Sequence, residues 1–192
     1  MGKETALQIQ HNAITLFKAK GYDVVTIDEI CQVSGITRST FYYHFPTKDR
    51  LLFDIFELSR TISPEATHIL MTSENCWEKL WACLEPTLDW VIDVGPEIMS
   101  QVIILNIQNK VDSLAVSEDP DIAKIYLAII EKGQQTGQFE NRSESKEIYN
   151  NLKNVTMGIE LQWCISGGKF DHKDMVKIGV SSMLSVRKDL LK

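Results

Sequence analysis

Residues 26–45, TIDEICQVSGITRSTFYYHF, gather side chains suited to recognition rather than to catalysis. Thr37, Arg38, Ser39, Thr40, Tyr42, Tyr43 and His44 place hydroxyls, a guanidinium, phenols and an imidazole side by side. A guanidinium offers two parallel N–H donors that match guanine N7 and O6, and Arg38 is placed for such a contact. Hydroxyls and phenols donate to phosphate oxygens, which fix register on a duplex without reading its sequence. No catalytic constellation competes with this stretch. His11, His44, His68 and His172 have no motif around them, so enzymatic activity is not expected. Cys31, Cys76, Cys83 and Cys164 form no CxxC pair and no Cys–His spacing suited to zinc, so neither a metal nor a cofactor is expected. These cysteines read as small core residues, with redox sensing as the alternative.

Donors of this kind need a rigid carrier, and the surrounding residues spell one. Thr26 and Glu29 form a capping box that opens a short helix to about Ser34. Gly35 supplies a sharp turn, Thr37 caps a second short helix to about Phe45, and Pro46 breaks it. Ile27, Ile30, Cys31, Val33, Ile36, Phe41 and Phe45 would hold both against a first helix spanning roughly Glu4 to Lys20. That helix carries Ala6, Ile9, Ala13, Leu16 and Phe17 on one face, and Gly21 stops it. Two short helices joined by a tight glycine turn are the helix-turn-helix pattern, whose second helix presents its N-terminal side chains to base edges. The competing reading of Tyr42, Tyr43 and His44 is plain packing against the next helix.

Bulk charge does not advertise a nucleic-acid partner. The chain of 192 residues carries a net charge of -6. Residues 1–56 hold six Lys/Arg against six Asp/Glu, so the whole excess of acid lies beyond them. Local placement, not net charge, must therefore carry any DNA contact. Hydrophobic residues at 44% and charged residues at 24% are ordinary for a folded soluble chain. The N-terminus lacks an apolar signal segment, and the most apolar run, Ile98 to Ile107, is too short to span a bilayer. A cytoplasmic protein without a membrane partner is expected.

The remaining chain reads with helical period and shows no strand-like alternation. Thr47 caps a long helix from Lys48 to about Leu70, and another runs from Asn75 to Val94 with a kink expected at Pro86. Gly95 breaks the chain before a helix from Pro96 to about Lys110. Ser117 to Pro120 starts a helix that ends near Gly137. Ser143 or Ser145 caps one to about Ser166, and Asp171 caps a last helix to Leu190. The fold expected is all-α, with nine helices in two domains. Residues 1–47 form the helix-turn-helix domain and 48–192 a larger helical body.

The spaced elements Leu16-Phe17, Gly21-Tyr22, Thr26-Ile27, Ile30-Cys31, Gly35-Ile36-Thr37, Phe41 to Phe45, and Lys48 with Leu51-Leu52 resemble the DNA-binding domain of the TetR family of transcriptional repressors. Cys31 stands where the family usually has Ala, and Ser39 where Gly is common; both are small, so packing survives. The resemblance covers about the first 56 residues and implies a homodimer released from operator DNA when a small molecule binds the C-terminal domain. It implies that Thr26, Tyr42, His44 and Lys48 hold phosphates, helped by the helix N-terminus that Lys48 opens. Thr37, Arg38, Ser39 and Tyr43 would face bases. Repressor and activator are not separated by these residues, and the neutral N-terminal domain also suits a helical protein–protein adaptor that no longer binds DNA.

Beyond residue 56 the residues suggest two surfaces. Ile148, Leu152, Val155, Ile159 and Trp163 form one apolar stripe, and Met175, Gly179, Met183 and Val186 another. The resemblance makes these a dimer interface; the alternative is packing within one chain. Trp77, Trp81, Met99, Ile103, Ile107, Tyr126 and Ile130 suggest an apolar pocket for a hydrophobic or aromatic effector. Glu160 would suit a cationic ligand if buried.

Overall fold

The computed structural model describes residues 2–59, 61–109 and 120–191. The N-terminal group is α1 (Gly2–Lys20), α2 (Ile27–Ser34), α3 (Arg38–His44) and α4 (Lys48–Ser59). The larger group is α5 (Pro64–Thr72), α6 (Cys76–Asn109), α7 (Pro120–Gln135), α8 (Ser145–Ile165) and α9 (His172–Leu184), followed by a 3-10 turn at Lys188–Leu190. Among the described residues the sole β feature is an isolated antiparallel bridge between Phe139 and Val186. The all-α expectation holds, and the described residues form nine α-helical elements, one of them kinked.

The long helix expected from Lys48 to Leu70 is two helices. Ser63 caps α5, its Oγ accepting from the Ala66 amide at 3.0 Å, and Pro64 fits the first turn, where no amide proton is needed. The break expected at Gly95 is present: its non-helical backbone (φ 86°, ψ 164°) kinks α6 into two helical stretches on either side. Pro86 sits within helical backbone, and the helix expected to continue past it does so. The expected helix end at Lys110 and start at Ser117 lie outside the described residues. The last helix stops at Leu184 rather than Leu190, because Ser185 turns left-handed at φ 50° and Val186 joins the bridge to Phe139. Neither Ser143 nor Ser145 caps α8: Glu144 takes that position, and the Ser145 hydroxyl donates to Glu131 at 2.9 Å.

Two cores hold the chain together, and α6 belongs to both. In the first, Ile9, Ala13 and Phe17 of α1 meet Ile30, Phe41, and Leu51, Leu52, Ile55 and Phe56 of α4. Val91, Val94, Met99 and Val102 of α6 complete it. In the second, Trp77, Leu80, Leu84 and Leu88 of α6 meet Tyr126 and Ile130 of α7, Ile148 and Leu152 of α8, and Val176 and Val180 of α9. Each large apolar side chain buried in this way contributes roughly 1.5–3 kcal/mol. Packing therefore continues past position 47, since α4 shares the core of α1–α3. By length and composition, Cys76–Gln108 is apolar enough to cross a membrane. Its place in both cores accounts for much of that composition, since many of its apolar residues pack against α1, α4, α7, α8 and α9, while Ile92, Ile104 and Ile107 are exposed.

Candidate nucleic-acid interface

Local chemistry builds α2 and α3 as expected. Thr26 Oγ1 accepts from the Glu29 amide at 3.3 Å, while the Glu29 carboxylate accepts from the Thr26 amide at 2.9 Å. Lys20 donates to Glu29 at 2.8 Å, and chiefly this contact, then Thr26, pulls the Glu29 carboxyl down to about 2. Gly35 takes φ 65°, a conformation disfavoured for residues with a Cβ, and its amide closes α2 onto Cys31 and Gln32. Thr37 caps α3 by accepting from the Thr40 amide at 3.2 Å. Asn12 ties α1 to α2 by donating to the buried Ser34 hydroxyl at 3.1 Å.

α3 hangs from the core by Phe41 and Phe45, whose rings lie 5.9 Å apart. A helix anchored at position 41 turns positions 39, 42 and 43 away from the core, and Arg38 is exposed at the open first turn of α3. Tyr43 is 82% exposed and Tyr42 51%, so neither serves the core and the packing reading does not describe Tyr43. His44 is half-buried, edge-on to Tyr43 at 5.0 Å. Thr37, Arg38 and Ser39 are exposed. The structure thus collects Thr37, Arg38, Ser39, Tyr42 and Tyr43 on one donor-rich surface.

Thr26 and Lys48 have prior engagements. The Thr26 hydroxyl also donates to Glu29 at 3.1 Å, so it serves the cap first. The Lys48 ammonium donates to the carbonyls of Tyr22 at 2.8 Å and Val25 at 3.0 Å, and lies 4.2 Å from the centre of the Tyr22 ring. It fastens α4 to the α1–α2 loop, leaving one of its three N–H donors for an outside anion. Beside it, the Tyr22 phenol donates to Asp49, and burial first, then this carboxylate, hold its proton well above the ordinary phenol range. Arg38 is paired as well. Its Nε and Nη2 donate to the two carboxylate oxygens of Asp28, the latter at 2.5 Å, which lowers the Asp28 pKa. Sequence reading missed Asp28 and Asp49 because one pairing crosses the glycine turn and the other spans α2 and α3, where no helical period points to the partner.

In the larger body, the expected pocket residues do not converge on one space. Trp77, Tyr126 and Ile130 are buried in the second core, and Trp77 stacks on Trp81 at 5.7 Å. Met99 and Ile103 belong to the first core, and Ile107 is exposed. Glu160 is buried on α8. Ile103 and Ile107 instead line an apolar groove of about 240 Å³ with Asn154, Met157, Gly158 and Leu161, between α6 and α8. The expected dimer stripes turn mostly inward. Ile148, Leu152, Trp163 and Val186 are buried in the protomer. Gly179 brings α9 onto α8 so closely that an added Cβ would lie 3.0 Å from Ile159 and 3.1 Å from Val155. Met183 is partly buried against the second core, whereas Met175 is exposed. Exposed apolar side chains of the same helices are Leu161 and Ile165 on α8 and Ile178 on α9, residues the stripes did not include. All four cysteines are free thiols, and burial raises each pKa, reaching about 11 for Cys83 and Cys164. Such thiols are poor nucleophiles, which favours the core reading over redox sensing.

A glycine-turned helix pair with an outward donor face, seated on a larger helical body, defines a helix-turn-helix DNA-binding regulator. Residues 9–55 match the family of bacterial regulatory proteins, tetR family. The transposon Tn10 TetC protein of Escherichia coli is 27% identical over 157 residues, covering 79% of this chain and 76% of that protein. The biofilm operon HTH-type negative transcriptional regulator IcaR of Staphylococcus aureus is 28% identical over 130 residues, covering 62% of this chain and 68% of IcaR. Among solved structures, FadR of Thermus thermophilus, a TetR family repressor in complex with lauroyl-CoA, matches with a TM-score of 0.67 at 16% identity. That match covers 95% of this chain and 96% of the other. The fatty acid degradation regulator FadR of Bacillus halodurans matches with a TM-score of 0.62 at 16% identity, over 93% of this chain and 94% of that one. Over residues 9–55, the helix-turn-helix region, the chain is thus similar to the tetR family of bacterial regulatory proteins.

Proposed function

We propose that this regulator is a cytoplasmic homodimeric repressor. It reads a palindromic operator through paired α3 helices and releases it when an apolar or aromatic small molecule binds the C-terminal body. The observation that carries this reading is the exposed face of α3, where Thr37, Arg38, Ser39, Tyr42 and Tyr43 point away from the core. An aromatic ring as exposed as that of Tyr43 adds little to the core, and its place on a recognition helix matches groove and phosphate contacts.

A single helix-turn-helix makes few contacts, and two-fold dimers gain a second half-site. Leu161, Ile165, Met175 and Ile178 supply exposed apolar area on α8 and α9 for such a dimer. The switch would run through α6, which is shared by both cores, so that a ligand altering one end biases the other. The groove at Ile103 and Ile107 is an apolar entry point on that helix. Selection of bound DNA fragments from a genomic library, repeated with candidate apolar ligands, tests the whole reading. A motif with two inverted half-sites about one helical turn apart, weakened by ligand, is expected. A non-repeating motif, or binding indifferent to every ligand class, would contradict it.

A further inference from the structure

The Asp28–Arg38 pair stands out because it contributes little to the fold. Both side chains are well exposed, at 61% and 65%, where an ion pair adds little to stability. Yet the contact is two-pronged and joins the first turn of α2 to the first turn of α3 across the glycine turn. We propose that Asp28 is a specificity-determining residue of the DNA interface. It clamps one edge of the Arg38 guanidinium and thereby presents the other edge to a guanine. This rests on the reading of α3 as the recognition helix.

The chemistry follows from counting donors. A guanidinium has five N–H groups, one on Nε and two on each Nη. Asp28 occupies the Nε proton and one Nη2 proton. What remains is the Nη1/Nη2 end, two parallel donors whose spacing suits guanine N7 and O6. A free arginine on a surface helix has many rotamers and can reach a phosphate at almost any sequence. Held by Asp28, it has lost that freedom before DNA arrives, and less ordering remains to be done on binding. The carboxylate acts a second time as a negative charge on a surface that faces phosphates. Together the pair neutralises no phosphate, so it contributes little to sequence-independent binding and leaves Arg38 to discriminate.

The test uses the full chain and selection from random duplexes, with wild type, Asp28→Asn, Arg38→Ala and the double variant. Asn keeps the shape of Asp28 and removes its charge. For Asp28→Asn, preference for the guanine read by Arg38 should fall by roughly tenfold. Binding to random duplex should strengthen, with the slope of log affinity against log salt steeper by about 0.9, as Arg38 is freed to meet a phosphate. In the Arg38→Ala background, Asp28→Asn should leave preference at that base pair unchanged. A damaged fold would instead weaken all duplexes together and leave the preference ratio intact, and thermal melting of each variant records that loss separately. Unchanged preference in Asp28→Asn, alongside relaxed preference in Arg38→Ala, overturns the proposal while sparing the recognition-helix reading. Unchanged preference in both variants overturns the two together.

Discussion

Arg38 and Lys48 are the two cations proposed for the DNA interface, and their surroundings predict different losses on substitution. Arg38 faces outward from α3, so Arg38→Ala should relax preference at one base pair per half-site, roughly ten- to hundredfold, in a selection experiment. Lys48 holds two carbonyls of the α1–α2 loop, and Lys48→Ala should lower the stability of the chain by about 1–2 kcal/mol in thermal melts. The same variant should weaken all DNA sequences alike, because the remaining donor of Lys48 can meet only phosphate. Equal stability of wild type and Lys48→Ala would show that water replaces the ammonium at no loss. His172 supplies a pH signature. It is 2% exposed, neither ring nitrogen meets a hydrogen-bond partner, and burial pushes its pKa from 6.5 down to about 4. The unfolded chain therefore binds the proton more readily between those values. Its contribution is present above about pH 6.5 and is lost as pH falls towards 4, by at most about 1.4 kcal/mol per pH unit. Melting His172→Gln beside wild type over this range should show a flatter pH dependence in the variant; parallel curves would mean that His172 stays hydrated.

At the scale of elements, two glycines carry opposite kinds of constraint. Gly95 interrupts α6 at φ 86°, where any side chain is strained although its Cβ would find room, 3.5 Å from Glu97. Gly95→Ala should thus destabilise by about 1–2 kcal/mol through backbone strain alone. Gly133 on α7 has the reverse problem. Its added Cβ would lie 2.2 Å from the ring of Phe139, which is fully buried beside the bridge to Val186. Gly133→Ala should destabilise by roughly 1–3 kcal/mol by overpacking, and the double variant with Phe139→Leu should lose less than the two single changes added together. Additive losses in chemical denaturation would mean that the ring and the glycine do not share a space.

At the scale of the whole molecule, α8 and α9 separate buried core residues from exposed apolar ones proposed for association. Leu152→Glu would place a carboxylate in the second core and should unfold the chain. Leu161→Glu with Ile165→Glu changes exposed positions and should leave helicity intact while converting a dimer to a monomer in sedimentation. That monomer should bind an inverted-repeat operator weakly. A dimer that survives both changes would locate the interface elsewhere. α6 makes a coupling between effector and DNA plausible in energy terms, since Trp90 of α6 lies 5.5 Å from Phe56 of α4 and Lys18 of α1 pairs with Asp93 of α6 at 2.7 Å. An effector should weaken operator binding by about 1–3 kcal/mol, and operator must weaken effector binding by the same factor. Calorimetry of one ligand with and without the other measures both sides. An effector that binds equally in both conditions would remove α6 as the switch.

The sequence by itself determined the features that depend on neighbours a few positions apart. Thr26 with Glu29, Thr37, Gly35 and Asp171 act within one turn of backbone, so their caps and turn are legible without a fold. Phe41 and Phe45 mark the buried side of α3, and the exposed side follows by helical period. Tertiary structure decided everything that needs two distant segments in one place. An apolar stripe says that a face is buried, but not against which helix. Ile148 and Leu152 therefore looked like partner-facing residues, although α6, α7 and α9 of the same chain cover them. Trp77, Tyr126 and Ile130 share a composition with Met99 and Ile103, yet the two sets lie in different cores because α6 passes through both. The pairing of Arg38 with Asp28 and the capture of two carbonyls by Lys48 likewise arise across turns. Side-chain reach and backbone direction set those contacts, and no period in the chain encodes either.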